Sequence, residues 1–471
     1  MPRFTRQSII DAPPYEVYDW HARPGAFERL TPPWQNLRTV HHQGGIKEGA
    51  TRTMKLGLGP VALTWKAIHG PHIEGRQFVD EQIKGPFRRW VHTHRFEDVD
   101  HDRTRLIDDI EYELPLAPVS SWLAGATTEE TLQKIFAFRH RRTMEDLRRH
   151  QDSSKTLIIA VTGSAGLIGQ ALCAFLSTGG HRVIRVVRQA DEVGDDAIFW
   201  SPSEGILDPR HLQGLDVVIH LAGESVAARW TARKKQSIEK SRVRGTAVLA
   251  EAIAAAPQGP SLFLSASGVG YYGDRGDQLL SEGDSPGDTF LAGVCQRWEE
   301  ATEVARHAGV RTVQMRLGVV LSPKGGALPR LQMASRLGLA GRLGSGDQYV
   351  PWIDLDDVLG AIHFLIQQSS IGGPVNICAP RPLTNRQLMT TLGETCGRPA
   401  ITPIPRHLPA LRLGSKAAAE TVLVSQRAIP SRLVEQGFDF FYPDLSTSLA
   451  VHLGKATSSP KSLSYEETPQ R

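Results

Sequence analysis

The chain has 471 residues, 40% of them hydrophobic and 22% charged, with a net charge of +4. That length predicts two or three domains, each able to bury its own core. No long Lys/Arg run stands behind the mild positive balance, and no apolar stretch approaches the ~18 residues of a membrane span, so neither nucleic acid nor a membrane is expected as a partner. Cys173, Cys295, Cys378 and Cys396 are scattered, with no CxxC pair and no histidine cluster. They suit a reducing compartment and indicate neither a disulfide framework nor a zinc site. With no signal-peptide segment after Met1, a cytoplasmic protein is expected.

Residues 1–150 read as an α+β domain, mainly β. Alternating or β-branched runs predict strands at Phe4–Ile10, Thr51–Leu56, Val61–Ile68, Arg76–Gln82, Trp90–Phe96 and Thr104–Glu113. From Thr128 to Leu147 the period changes, and Leu132, Ile135, Phe136, Met144 and Leu147 share one helical face. A curved antiparallel sheet closed by one long helix leaves a cavity between them. Trp20, Phe27, Trp34, Trp65, Phe87 and Trp90 serve either as its core or as the wall of a pocket for an apolar small molecule. His92 and His94 share a strand face, but no third ligand is visible, so no metal is expected.

The polar segment from Arg148 to Lys155 predicts a domain boundary. Beyond it, strands at Leu157–Val161, Arg182–Val187, Val217–Leu221, Leu262–Ser265 and Thr312–Arg316 alternate with helical segments, which implies an α/β, doubly wound parallel sheet. Residues 455–471, rich in Ser, Pro, Lys and Glu, predict a disordered tail.

The first of these strands runs into Gly163-Ser164-Ala-Gly166-Leu167-Ile168-Gly169, and a helical pattern follows. Dinucleotide binding demands this order: one glycine for the tight turn, one for backbone approach to a pyrophosphate, one for helix-on-strand packing. The second strand ends Val187-Arg188, with no carboxylate at its tip to hold the ribose hydroxyls of NAD. A guanidinium there would pair with the 2′-phosphate of NADP, so NADP (NADPH) is the expected cofactor. Leu221-Ala222-Gly223 ends the next strand, where small residues let backbone face the nucleotide.

From Thr156 to about Gly454 further motifs occur in order: Asp216-Val-Val-Ile-His-Leu-Ala-Gly-Glu224, Arg229-Trp230, Ser241-Arg242, Ser265-Ala-Ser-Gly-Val-Gly-Tyr-Tyr-Gly273, Trp298-Glu299, Arg316-Leu-Gly-Val-Val320 and Val350-Pro-Trp-Ile-Asp-Leu-Asp-Asp357. This succession resembles the extended or atypical short-chain dehydrogenase/reductases, and within them the sugar-epimerase-like "epimerase family protein" group. The resemblance implies a Rossmann-type domain over residues 156–404 and a small C-terminal substrate region over 405–454. Residues 1–150 resemble the START-related, helix-grip ligand-binding domains described as polyketide cyclase/dehydrase. By the first resemblance Ser237, Arg242 and Val319 would also face the cofactor.

That superfamily uses a Tyr with a Lys four residues later, and a Ser that orients the substrate oxygen. Ser267 fits the Ser. No tyrosine of this chain is followed at that spacing by a lysine, and Leu291 and Cys295 fall at the two positions. Tyr271, close after Ser267, is the candidate acid, with Cys295 packed. A phenol without that lysine favours acting as an acid in carbonyl reduction over acting as a base in oxidation. Two readings follow: an NADP-dependent oxidoreductase or epimerase acting on a carbonyl or sugar-like small molecule, or a non-catalytic NADP(H)-responsive ligand-binding protein.

Overall fold

The computed structural model describes residues 2–58, 61–115, 121–151, 155–400 and 402–456; the expected tail lies almost wholly outside them. Two compact units emerge, Met1–Arg148 with Ala450–Arg471, and Arg149–Leu449.

The first unit is a seven-stranded antiparallel sheet: β1 (Arg3–Ile10), β2 (Leu37–Gln43), β3 (Thr51–Leu58), β4 (Val61–His69), β5 (Gln77–Lys84), β6 (Arg89–Asp100) and β7 (Arg103–Glu113), in the order β1-β7-β6-β5-β4-β3-β2. Two short helices, α1 (Pro14–Ala22) and α2 (Ala26–Leu30), lie between β1 and β2, and the long α3 (Ser121–His150) follows β7. Period-two alternation along β6 turns Trp90, His92, His94 and Phe96 to the buried face. The buried face of α3 includes Leu132, Phe136, His140 and Leu147. Arg29 on α2 forks onto Asp146 of α3 through Nε and Nη2 at 2.7 and 2.6 Å, a pair wholly inside the unit. Strand β2 carries no alternation that sequence could reveal: it is an edge strand with most side chains exposed.

The second unit is an α/β fold. Its parallel sheet comprises β8 (Ile158–Thr162), β9 (Arg182–Val187), β10 (Ala197–Phe199), β11 (Val217–His220), β12 (Leu262–Gly268) and the strands Arg311–Leu317 and Gly373–Ile377, in the order β10-β9-β8-β11-β12 and then those two. Successive residues of β8 feed opposite cores: Ile159 and Val161 belong to the cluster that holds Phe175 and Val358, and Ala160 to the one that holds Leu249 and Ile253. Burial on both faces makes these strands near-continuous apolar runs, and this is why they were legible. The order reverses between β8 and β11, the crevice where nucleotides bind in such sheets.

Candidate functional site

β8 enters the glycine turn at this reversal. Gly163 has φ +68°, and a Cβ there would stand 2.9 Å from both Ala222 N and Leu221 C. A Cβ on Gly169 would lie 2.2 Å from Gly163 O, which locks α4 (Leu167–Thr178) against the turn. Gly166 differs: its Cβ would meet only Gly163 O, at 3.2 Å, with open space otherwise. It is also the N-cap of α4 and offers no side chain to the first amides, so Leu167 and Ile168 begin the helix uncapped by a side chain. Thr162 Oγ1 accepts the amides of Leu221 and Ala222 at 3.1 and 3.3 Å and meets His220 Nδ1 at 2.7 Å, joining the two strand ends. Burial, assisted by Arg242, pushes His220 down to about 3, so the ring is neutral.

Val187 is buried at the end of β9, and Arg188 beyond it is exposed. Its charge helps hold the Glu224 carboxyl low, behind the larger effect of Lys234, and among the described residues the Arg188 side chain makes no hydrogen bond. Gly223 is exposed; a Cβ there would stand 3.4 Å from Arg242 Cζ. Arg242 itself donates to the carbonyls of Glu224 and Ile238 at 2.8 and 3.2 Å and lies over Trp298, so it already braces the loop after β11. Ser237 is exposed on α5 (Ala232–Ala255), Ser164 is half-buried, and Val319 donates its amide to Pro351 at 2.6 Å.

Ser267 is buried at the end of β12 and donates to Glu299 Oε1 at 2.7 Å. Arg316 grips the same carboxylate, Nε to Oε1 at 2.9 Å and Nη2 to Oε2 at 2.8 Å, and donates to Tyr272 Oη at 3.0 Å. Tyr271 covers that guanidinium with its ring face at 3.5 Å, and no hydrogen bond joins it to Ser267. Cys295 is packed against Gly268 and Gly270, its thiol pushed up to about 11 by burial and then by Glu299. Sequence singled out Trp298-Glu299 and Arg316 only as motif members; their pairing across 17 residues carried no local signal. The aspartates 354, 356 and 357 are all buried. Asp354 caps the helix Leu355–Gln367, and Asp357 accepts the amides of Phe441 and Tyr442, both at 2.9 Å. Trp230 donates to Val226 O at 3.0 Å.

The first unit holds a cavity of about 630 Å³ with apolar walls from Phe27, Met54, Trp65 and Trp90 and polar groups from Asp80, His92, His94 and Arg139. Trp20 is core, and Trp34 packs edge-on against Phe138. The fold brings Asp80 on β5 opposite His92, and Asp108 on β7 opposite His94. Burial alone would lower His92, but Asp80 and Asp108 raise it to about 9.

Residues 159–378 match the family model for the NAD dependent epimerase/dehydratase family, residues 404–450 a domain of unknown function, and residues 10–137 polyketide cyclase / dehydrase and lipid transport. The sheet order, the glycine turn and these matches define an NAD(P)-type Rossmann unit joined to a cyclase-type unit. Epimerase family protein Mb2239 of Mycobacterium bovis is 42% identical over 305 residues, 64% of this chain and 98% of that protein. The crystal structure of human epimerase family protein SDR39U1 with NADPH is 31% identical, with TM-score 0.58, and covers 64% of this chain and 100% of that one. The nucleoside-diphosphate sugar epimerase structure from Corynebacterium glutamicum is 35% identical at TM-score 0.79 and spans both units, 96% of this chain and 90% of that one. The chain belongs to the epimerase family proteins. Among the described residues no helix is long and apolar enough to cross a membrane.

Proposed function

We propose that the second unit binds NADPH and acts as an NADP-dependent oxidoreductase or epimerase on a carbonyl or sugar-like small molecule. The carrying observation is the turn from Gly163 to Gly169. Two of its glycines have no room for a Cβ, while the third leaves open space before an uncapped helix start, an arrangement suited to receive phosphate. Arg188, exposed at the tip of β9, supplies a guanidinium for the 2′-phosphate, and the human relative was solved with NADPH. When bound, NADPH supplies a hydride. Backbone at Leu221, Ala222 and Gly223 faces the nucleotide, Ser267 orients the substrate oxygen and Tyr271 gives it a proton. The alternative, a non-catalytic NADP(H)-responsive protein, is favoured by one observation: the Ser267 hydroxyl is already committed to Glu299.

Calorimetric titration with NADPH and NADH decides the cofactor. The wild type should prefer NADPH, and Arg188→Asp should lose about tenfold or more of NADPH affinity while leaving NADH little changed. Equal affinities, or an unaffected Arg188→Asp, contradict the reading. The cavity of the first unit would hold an apolar small molecule, whose polar end meets the histidines and Arg139.

A further inference from the structure

His92 and His94 alternate on β6, so their side chains emerge on the same face of the sheet, with ring centroids 3.8 Å apart. Asp80 comes from the neighbouring β5, directly across from His92. Its Oδ2 lies 3.1 Å from His92 Nδ1 and 3.3 Å from His94 Nε2, and the three ligand atoms all fall within 4.8 Å of one another. Ligand atoms around a tetrahedral ion with bonds of about 2.0 Å stand roughly 3.3 Å apart. The two remaining ring nitrogens point to a single group. His92 Nε2 is 2.9 Å and His94 Nδ1 2.7 Å from Asp108 Oδ1, and the other oxygen of Asp108 is held by His140 Nε2 at 2.8 Å. A carboxylate hydrogen-bonded behind an imidazole, as Asp108 is behind His92, is what metal-binding histidines recurrently show.

We propose that Asp80, His92 and His94 form a binding site for a divalent transition-metal ion, zinc or iron(II), on the wall of the cavity in the first unit. Two imidazoles and one carboxylate are borderline donors suited to these ions and unsuited to magnesium or calcium. A dication there would be attracted by the carboxylates of Asp80 and Asp108 and opposed by the buried guanidinium of Arg139, with His92 donating its Nε2–H to Asp108. Asp80, His92 and His94 all line the cavity, whereas Asp108 and His140 stand behind them, so the unfilled coordination positions face the ligand space. The ion would anchor an oxygen of whatever apolar molecule the cavity holds.

The test uses the full-length protein, stripped with a chelator and titrated with Co²⁺ and Zn²⁺, and with Fe²⁺ under anaerobic conditions. One ion per chain is expected, with a cobalt visible spectrum of imidazole–carboxylate coordination that zinc or iron abolishes. Asp80→Asn and His94→Gln should each weaken binding at least about tenfold, and Asp108→Asn, which leaves the three ligands in place, by about 10–100-fold. Metal should raise the thermal midpoint of the wild type and leave that of the two ligand variants unchanged. The wild-type cobalt spectrum does not depend on any variant folding. No stoichiometric ion and no cobalt band, or binding undiminished in Asp80→Asn and His94→Gln, overturns the site.

Discussion

Ser267 donates to Glu299 at 2.7 Å, and Arg316 closes on both oxygens of the same carboxylate at 2.9 and 2.8 Å. The pair is nearly dry, with side chains 3% and 14% exposed. Removing one partner strands a buried charge, whereas removing both does not. Glu299→Ala should therefore lower unfolding stability by roughly 3–5 kcal/mol, and the double variant Glu299→Met with Arg316→Met by much less. Urea unfolding of the singles and the double measures this; a double-variant loss equal to the sum of the two single losses would show that the two charges are not coupled.

The same carboxylate bears on chemistry. For Ser267 to donate to a substrate oxygen, its hydroxyl must rotate away from Glu299, so the proton offered to substrate falls to Tyr271 in the proposed reaction. Tyr271→Phe should cost about 10²–10⁴ in the rate of NADPH-dependent carbonyl reduction. Cys295→Ala should be nearly silent in rate, because burial keeps that thiol protonated. Single-turnover rates at saturating NADPH distinguish the two, and a dead but folded Cys295→Ala with an active Tyr271→Phe would reverse the assignment.

The three glycines of the turn separate folding from binding. Gly169→Ala forces a Cβ to 2.2 Å from a backbone oxygen and should destabilise the second unit outright. Gly166→Ala has only Gly163 O near, at 3.2 Å, and should keep the wild-type thermal midpoint within a few degrees. Its methyl group occupies the space proposed for phosphate, so NADPH affinity should drop about tenfold or more. If Gly166→Ala binds NADPH as the wild type does, the loop is a steric turn and not a cradle.

Much of this was readable along the chain, and the limits have physical causes. The strands of the parallel sheet announce themselves because both faces are buried. β10 and the strand Gly373–Ile377 did not, being a three-residue edge piece and a run opened by Gly-Pro. His92 and His94 were visible as a pair through their alternation. Asp80 and Asp108 sit across strand pairings 12 to 16 residues away, and register between neighbouring strands is not written in local pattern. The positions of Arg188 at a strand tip and of the glycines in a turn could be read because both are local features. Arg242 reads otherwise in space, its guanidinium spent on the carbonyls of Glu224 and Ile238.

His220 and His363 give the second unit a pH signature. Burial, reinforced by Arg242 in one case and by His181 and Arg149 in the other, pushes both rings down to about 3. An unfolded chain releases these rings to the ordinary value of about 6.5, so between those limits the unfolded state binds more protons than the folded one. Their contribution is fully present above about pH 6.5 and is lost progressively as pH falls toward 3, at up to about 1.4 kcal/mol per pH unit for each ring. Urea unfolding between pH 6.5 and 5, before most carboxylates titrate, should show stability falling with acidification. His220→Gln removes one of the two titrating rings while retaining a polar group that can meet Thr162, and its slope should be shallower by close to one proton. A variant slope identical to that of the wild type would mean that His220 is solvated enough to charge in the folded state.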